Sequence, residues 1–132
     1  MAAGKYSFTI EQGTTVDFEV IYKDSTNTPV SLEGYRAKMQ IRPYAGSTTE
    51  YITLSSSLAA DRTGLNLSGS NGTTPLTSGS IGVYISAYSS SALTFDTAYY
   101  DLELITGSAY PVVTRILEGK IKLSKEITTG DY

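Results

Sequence analysis

Gly34 to Arg42 reads GYRAKMQIR, with Tyr35, Ala37, Met39 and Ile41 on one parity and Arg36, Lys38, Gln40 and Arg42 on the other. A two-residue period held over that length marks a β-strand with one dry face and one wet face. Tyr35 and Ile41 aim at a core, while two arginines and a lysine aim at water or at a partner. Pro43 closes the strand, because proline has no N–H to give to a ladder.

The same alternation recurs to either side. Tyr6, Phe8 and Ile10 alternate up to a turn at Glu11-Gln12-Gly13-Thr14, and Val16, Phe18, Val20 and Tyr22 then share a face opposite Asp17 and Glu19. Asp24 to Pro29 is a run of turn formers, after which Val30 and Leu32 lead through Gly34 into the first-quoted strand. A weaker strand is expected over Glu50 to Leu54, and a short one at Leu65 and Leu67, before an Asn71-Gly72 tight turn. Residues 73–80 read as a flexible connection, and Ile81, Val83 and Ile85 as the next strand.

Ser86 to Leu93 breaks the alternation; Ser86 caps a single helical turn that sets Tyr88 or Ala92, with Leu93, over one end of the fold. Tyr99 to Thr106 is a strand with Tyr100, Leu102 and Leu104 inward and Asp101 and Glu103 outward. Val112 to Leu123 pairs back on it, with Gly119 read as a bulge or bend. These seven to eight short strands and their turns predict an all-β, antiparallel sandwich or barrel with one short helical turn. Residues 1–128 form one domain in this reading, and 129–132 a loose C-terminal tail.

Composition narrows the chemistry. The 132 residues contain no cysteine and no histidine, which excludes disulfides, thiolate metal sites, cysteine nucleophiles and histidine-based triads. A chain of this size buries roughly two-thirds of its unfolded surface, enough for a core without staples. Net charge is −3 and charged residues are only 17%, so nucleic acid is not an expected partner. No apolar run approaches the roughly 20 residues that span a bilayer. The N-terminus, MAAGKYSFTI, lacks the ordered parts of a signal peptide, so a soluble protein made in the cytoplasm is expected. Eleven tyrosines stand against three phenylalanines, and tyrosine supplies rigid contact area with a polar tip.

Few residues gather into a chemical constellation. Asp17 with Glu19, and Asp101 with Glu103, each place two carboxylates about 7 Å apart on one side of a strand, a glycosidase-like spacing. The plainer reading is a solvated acidic face beside the Arg36/Lys38/Arg42 stripe. Asp24 and Asn27 offer loop oxygens of the kind calcium uses, but the spacing fits no EF-hand and Asx-turn chemistry explains them. Asn66-Leu67-Ser68 and Asn71-Gly72-Thr73 are formal glycosylation sequons, read as accidents of a Ser/Thr-rich chain. Enzyme, metal and cofactor are therefore not expected. The candidate protein interface comprises Arg36, Lys38 and Arg42 with Tyr84, Tyr88, Tyr99 and Tyr110; Tyr100 is assigned to the core.

The order of local strings carries one further reading. Phe8-Thr9-Ile10-Glu11-Gln12-Gly13, Lys23-Asp24, Pro29-Val30, Leu32-Glu33-Gly34-Tyr35 and Met39-Gln40-Ile41-Arg42 follow one another. Ile85-Ser86-Ala87, Tyr100-Asp101-Leu102-Glu103-Leu104, Arg115-Ile116-Leu117-Glu118-Gly119 and Lys125-Glu126-Ile127-Thr128 come after them. The series resembles small immunoglobulin-like structural proteins of tailed bacteriophages, and the N-terminal domain of phage upper baseplate proteins. It runs from about Tyr6 to Thr128. Those proteins continue into a stalk or receptor-binding part, whereas this sequence stops just after the sandwich. The resemblance implies an immunoglobulin-like sandwich in the virion, docking onto other virion proteins in multiple copies about a symmetry axis, with no nucleic acid or membrane partner. A tail or baseplate adaptor is the leading expectation; a capsid decoration or head–tail junction protein, and a carbohydrate-binding module, are the alternatives.

Overall fold

The computed structural model describes residues 4–128, so the tail expected at 129–132 lies outside the described residues. Among the described residues nine strands form in chain order: β1 (Gly4–Lys5), β2 (Phe8–Glu11), β3 (Val16–Ile21), β4 (Arg36–Arg42), β5 (Ile52–Ser55), β6 (Gly64–Asn66), β7 (Ser80–Ile85), β8 (Thr97–Thr106) and β9 (Val112–Ser124). One helical turn, α1 (Ala87–Ser91), separates β7 from β8. The chain is all-β and folds as two sheets. The larger runs β1-β9-β8-β4-β5, with β2 also on β9, and the smaller runs β3-β7-β6.

The N-terminal edge departs from the antiparallel expectation. β1 and β2 follow one another along β9, and both are parallel to it, with Gly4 opposite Leu117 and Phe8 opposite Ile121. The direction follows from the turn at Glu11–Thr14, which must leave the larger sheet at the end where β9 finishes; Gln12 N–H donates to Ser124 O at 2.9 Å there. Between the two short strands the Ser7 hydroxyl accepts from Lys120 N–H at 3.2 Å. A side chain replaces the ladder at that point, splitting what sequence read as one alternating segment.

Inward parity builds the core as read. Ala37, Met39 and Ile41 from β4 meet Ala98, Tyr100, Leu102 and Leu104 from β8 in one buried cluster. Ile81, Val83 and Ile85 from β7 close that cluster from the smaller sheet. Each fully buried Leu or Ile contributes about 1.5–3 kcal/mol over its exposed state. Phe8 packs edge-on against Phe18 (5.1 Å between centroids) and Tyr100 (5.3 Å), tying β2, β3 and β8 together.

Two local readings need correction. The register shift in the β8–β9 pair falls between Leu102 and Glu103, opposite Leu117 and Arg115, so the bulged residue is Ile116 and not Gly119. Gly119 instead admits a crossing: a Cβ there would lie 2.0 Å from Tyr6 O and 3.1 Å from the Tyr100 ring. The Tyr100 hydroxyl passes over it to donate to Tyr6 O. Residues 73–80 are likewise anchored and not a free connection. Thr74 N–H donates to Ser68 O, Leu32 N–H donates to Leu76 O, and a 3-10 turn spans Leu76–Ser78.

α1 forms where Ser86 was expected to cap, with its hydroxyl accepting from Ser89 N–H at 3.1 Å. Leu93 is buried as expected, but Tyr88 is 84% exposed and Ala92 is also exposed. A carboxylate that sequence reading passed over holds the turn. Asp61 Oδ2 accepts from the Ser86 and Ser89 hydroxyls, the latter at 2.6 Å. Those two bonds, Ser86 first, hold the Asp61 carboxyl far below the usual carboxylate range.

Candidate functional site

Outward parity on the larger sheet gathers most of the predicted interface. Cross-strand register sets Arg36 beside Ile105, Lys38 beside Glu103, Gln40 beside Asp101 and Arg42 beside Tyr99. On the far side of β8, Tyr99 faces Lys120, Asp101 faces Glu118 and Glu103 faces Arg115. Arg36, Lys38, Arg42 and Tyr99 thus share one surface. Tyr110 stands 93% exposed in the β8–β9 turn, which Arg36 holds by donating to Gly107 O at 2.9 Å.

The other two predicted residues are elsewhere. Tyr84 projects from β7 in the smaller sheet, with the Arg62 guanidinium 4.9 Å from its ring centroid. Tyr88 stands out from α1. Neither belongs to the face that carries the cationic stripe.

The three cations of the stripe do different work. Arg42 is half-buried; it donates to Ser47 O and to Gln40 Oε1, both at 2.8 Å, and lies 3.7 Å from Glu50. Its fork therefore fixes the β4–β5 loop. Arg36 fixes the β8–β9 turn in the same manner. Lys38 is exposed and enters no ion pair among the described residues.

An open groove of about 750 Å³ runs across this face. Tyr44 and Tyr99 contribute aromatic surface to it, and Gln40, Asp101, Arg115 and Glu118 contribute polar groups. Arg115 lies 3.2 Å from Asp101 and 3.8 Å from Glu118, and Lys5 lies 3.6 Å from Glu118. Such partly exposed pairs contribute little stability, about 0–1 kcal/mol each. Their effect is to hold charged side chains in place. Asp101 and Glu103 do share a strand face, but Asp101 is committed to Arg115. Asp17 and Glu19 lie on β3 in the opposite layer.

Sequence reading missed Tyr44, Arg115, Glu118 and Lys5 as members of this face. Only strand pairing brings β1, β9 and the β4–β5 loop onto the same sheet face as β4, and no local pattern states that order. Among the described residues no group of three or more His, Cys, Asp or Glu is arranged to hold a metal ion. No helix among them is long and apolar enough to cross a membrane. No protein-family model matches the chain, and no curated protein matches it.

Proposed function

We propose that this chain is a bacteriophage virion structural protein, a tail- or baseplate-associated adaptor that docks through the outer face of its larger sheet. The observation that carries the docking reading is the convergence of Arg36, Lys38, Arg42 and Tyr99 on one open face. Arg36 and Arg42 pin the loops that border it. Loops held this way lose little further freedom on association, so less of the contact energy is consumed by ordering. The strand orders β3-β7-β6 and β9-β8-β4-β5 support an immunoglobulin-like topology, in which they take the places of B-E-D and G-F-C-C′. The virion assignment is supported by the string of resemblances from Phe8 to Thr128. In this reading the protein acts by surface complementarity, without catalysis or cofactor, and repetition about a symmetry axis makes weak contacts durable.

Quantitative mass spectrometry of purified particles, with heads and tails separated, tests the proposal. Recovery in the tail fraction at a low, symmetry-compatible copy number is the expected result. Hundreds of copies on heads would transfer the protein to capsid decoration, and absence from the particle would overturn the virion reading.

One observation favours a second reading. The groove combines Tyr44 and Tyr99 with the Gln40 amide and the Asp101 and Glu118 carboxylates, a mixture of flat apolar and hydrogen-bonding surface that suits a carbohydrate. Binding on a glycan array that is lost in Tyr44→Ala and Tyr99→Ala would favour it over pure scaffolding.

A further inference from the structure

Charge is unevenly spread over this molecule. The outer face of the larger sheet holds Lys5, Arg36, Lys38, Arg42, Arg115, Lys120 and Lys122, and with them Glu50, Asp101, Glu103 and Glu118. With the exposed Glu11 of β2, in the same outward parity as Lys122, seven cations against five carboxylates leave that face at +2. The remaining described residues carry three cations, Lys23, Arg62 and Lys125, against seven carboxylates, which leaves them at −4. A chain with a net charge of −3 therefore presents one sheet face that is net positive.

Pairing within the positive face does not use up its cations. The ion pairs there engage Lys5, Arg42 and Arg115. Arg36, Lys38, Lys120 and Lys122 have no carboxylate at ion-pair distance among the described residues. The opposite layer presents Asp17 and Glu19 on β3, an edge of the smaller sheet, with Arg62 over the ring of Tyr84, the register partner of Asp17. Apolar surface accompanies both: Ile105 and the half-exposed Val113 lie in register next to Arg36, and Ile21, 51% exposed, follows Glu19 on the same parity.

We infer that the occupant of the positive face is a second copy of this chain, docked head to tail so that the outer face of one larger sheet meets the β3 side of the next molecule. Complementary surfaces on opposite layers favour this occupant over an unrelated acidic protein, because the matching surface is already part of the chain. Like faces repel, so a two-fold, face-to-face dimer is disfavoured. Head-to-tail contacts leave one surface of each kind unused, and they propagate until a ring closes or a filament grows. The inference rests on the docking reading above and names the partner of that same face.

Sedimentation velocity on the purified chain over a concentration series tests it, in about 0.01 M and about 1 M salt, where screening lengths are about 30 Å and about 3 Å. Self-association at low salt that disperses at high salt is the expected result. A monomer at every concentration in low salt would overturn the inference. Two double variants sharpen the test: Lys120→Glu with Lys122→Glu, and Asp17→Lys with Glu19→Lys. Each alone should associate ~10-fold more weakly or worse. Mixing the two should restore association, because the reversed face of one then meets the reversed β3 side of the other. Failure of the mixture, with both variants melting like the parent, would overturn the head-to-tail geometry. If the chain stays monomeric while particles still exclude the Lys120→Glu/Lys122→Glu variant, this inference falls and the docking reading survives. Salt-sensitive association by a chain absent from particles would support the inference and sink the virion reading.

Discussion

Arg115 and Glu118 are three residues apart on one strand, yet they face the same side of the sheet, with Nη1 3.8 Å from Oε2. In an unbroken strand residues at that spacing point to opposite faces. The extra residue at Ile116 shifts the parity, turning Arg115 outward beside Asp101 while Ile116 itself stays in the core. One bulge therefore sets the charge pattern of the groove and fills the interior at once.

Arg115→Ala and Ile116→Ala should separate those two roles. The first removes partly exposed ion pairs and should change stability by no more than about 1 kcal/mol. The second empties a core position and should cost about 2 kcal/mol or more. Urea unfolding of the two variants measures the contrast, and equal losses would count against the bulge having this double function.

Gly119 and Tyr100 form the crossing that holds the N-terminal edge. Gly119→Ala forces a methyl into Tyr6 O and should destabilise by about 1–3 kcal/mol, with the β1–β2 segment moving off β9. Tyr100→Phe deletes only the hydroxyl that bonds Tyr6 O and should cost about 1 kcal/mol. Burial, reinforced by neighbouring Tyr6, pushes the Tyr100 phenol far above its ordinary value. Absorbance titration of the folded protein should therefore show one phenol that resists ionisation, and its loss in Tyr100→Phe identifies it.

Asp61 predicts an acid dependence. Its folded carboxyl titrates well below the ordinary value of 3.8, so its contribution is fully present above that value and is lost as pH falls through the folded one. Asp61→Asn should melt below the parent at neutral pH, and the gap should close as the pH is lowered below about 4. A gap independent of pH would show that the charge on Asp61 does not matter. Hydrogen exchange should report the loss first at Ser86–Ser90, where the accepting oxygen is removed.

Arg42→Lys tests whether the groove wall is held by the guanidinium fork. Lysine keeps the charge but cannot reach Ser47 O, Gln40 Oε1 and Glu50 together. Faster amide exchange over residues 43–49, at a stability loss of about 1 kcal/mol, is the expected outcome. Unchanged exchange would assign the loop's order to its own turns.

Sequence alternation was enough to place β3, β4, β7 and β8 and to choose their buried sides, because each of those decisions is local. Met39 and Leu102 read as core from parity alone, and the pairing confirms it. The failures share one cause. The parallel docking of β1 and β2, the bulge at Ile116, and the gathering of Lys5, Tyr44 and Glu118 around one groove all depend on which strand lies next to which. Asp61 escaped notice for the same reason, since its partners Ser86 and Ser89 come 25 and 28 residues later. Periodicity reports which way a side chain points, and it is silent on its neighbour.

The placement of β2 against β9 has a consequence in time. Phe8 pairs with Ile121, and Glu11 with Ser124, so β2 finds its partner at the far end of the described fold. Until residues 112–124 are in place, Phe8 and Ile10 have no ladder to join. Closure is thus a late, long-range event, of the kind that slows folding and prolongs exposure to aggregation. Until that closure β2 is an unpaired strand, open to pairing with the wrong neighbour.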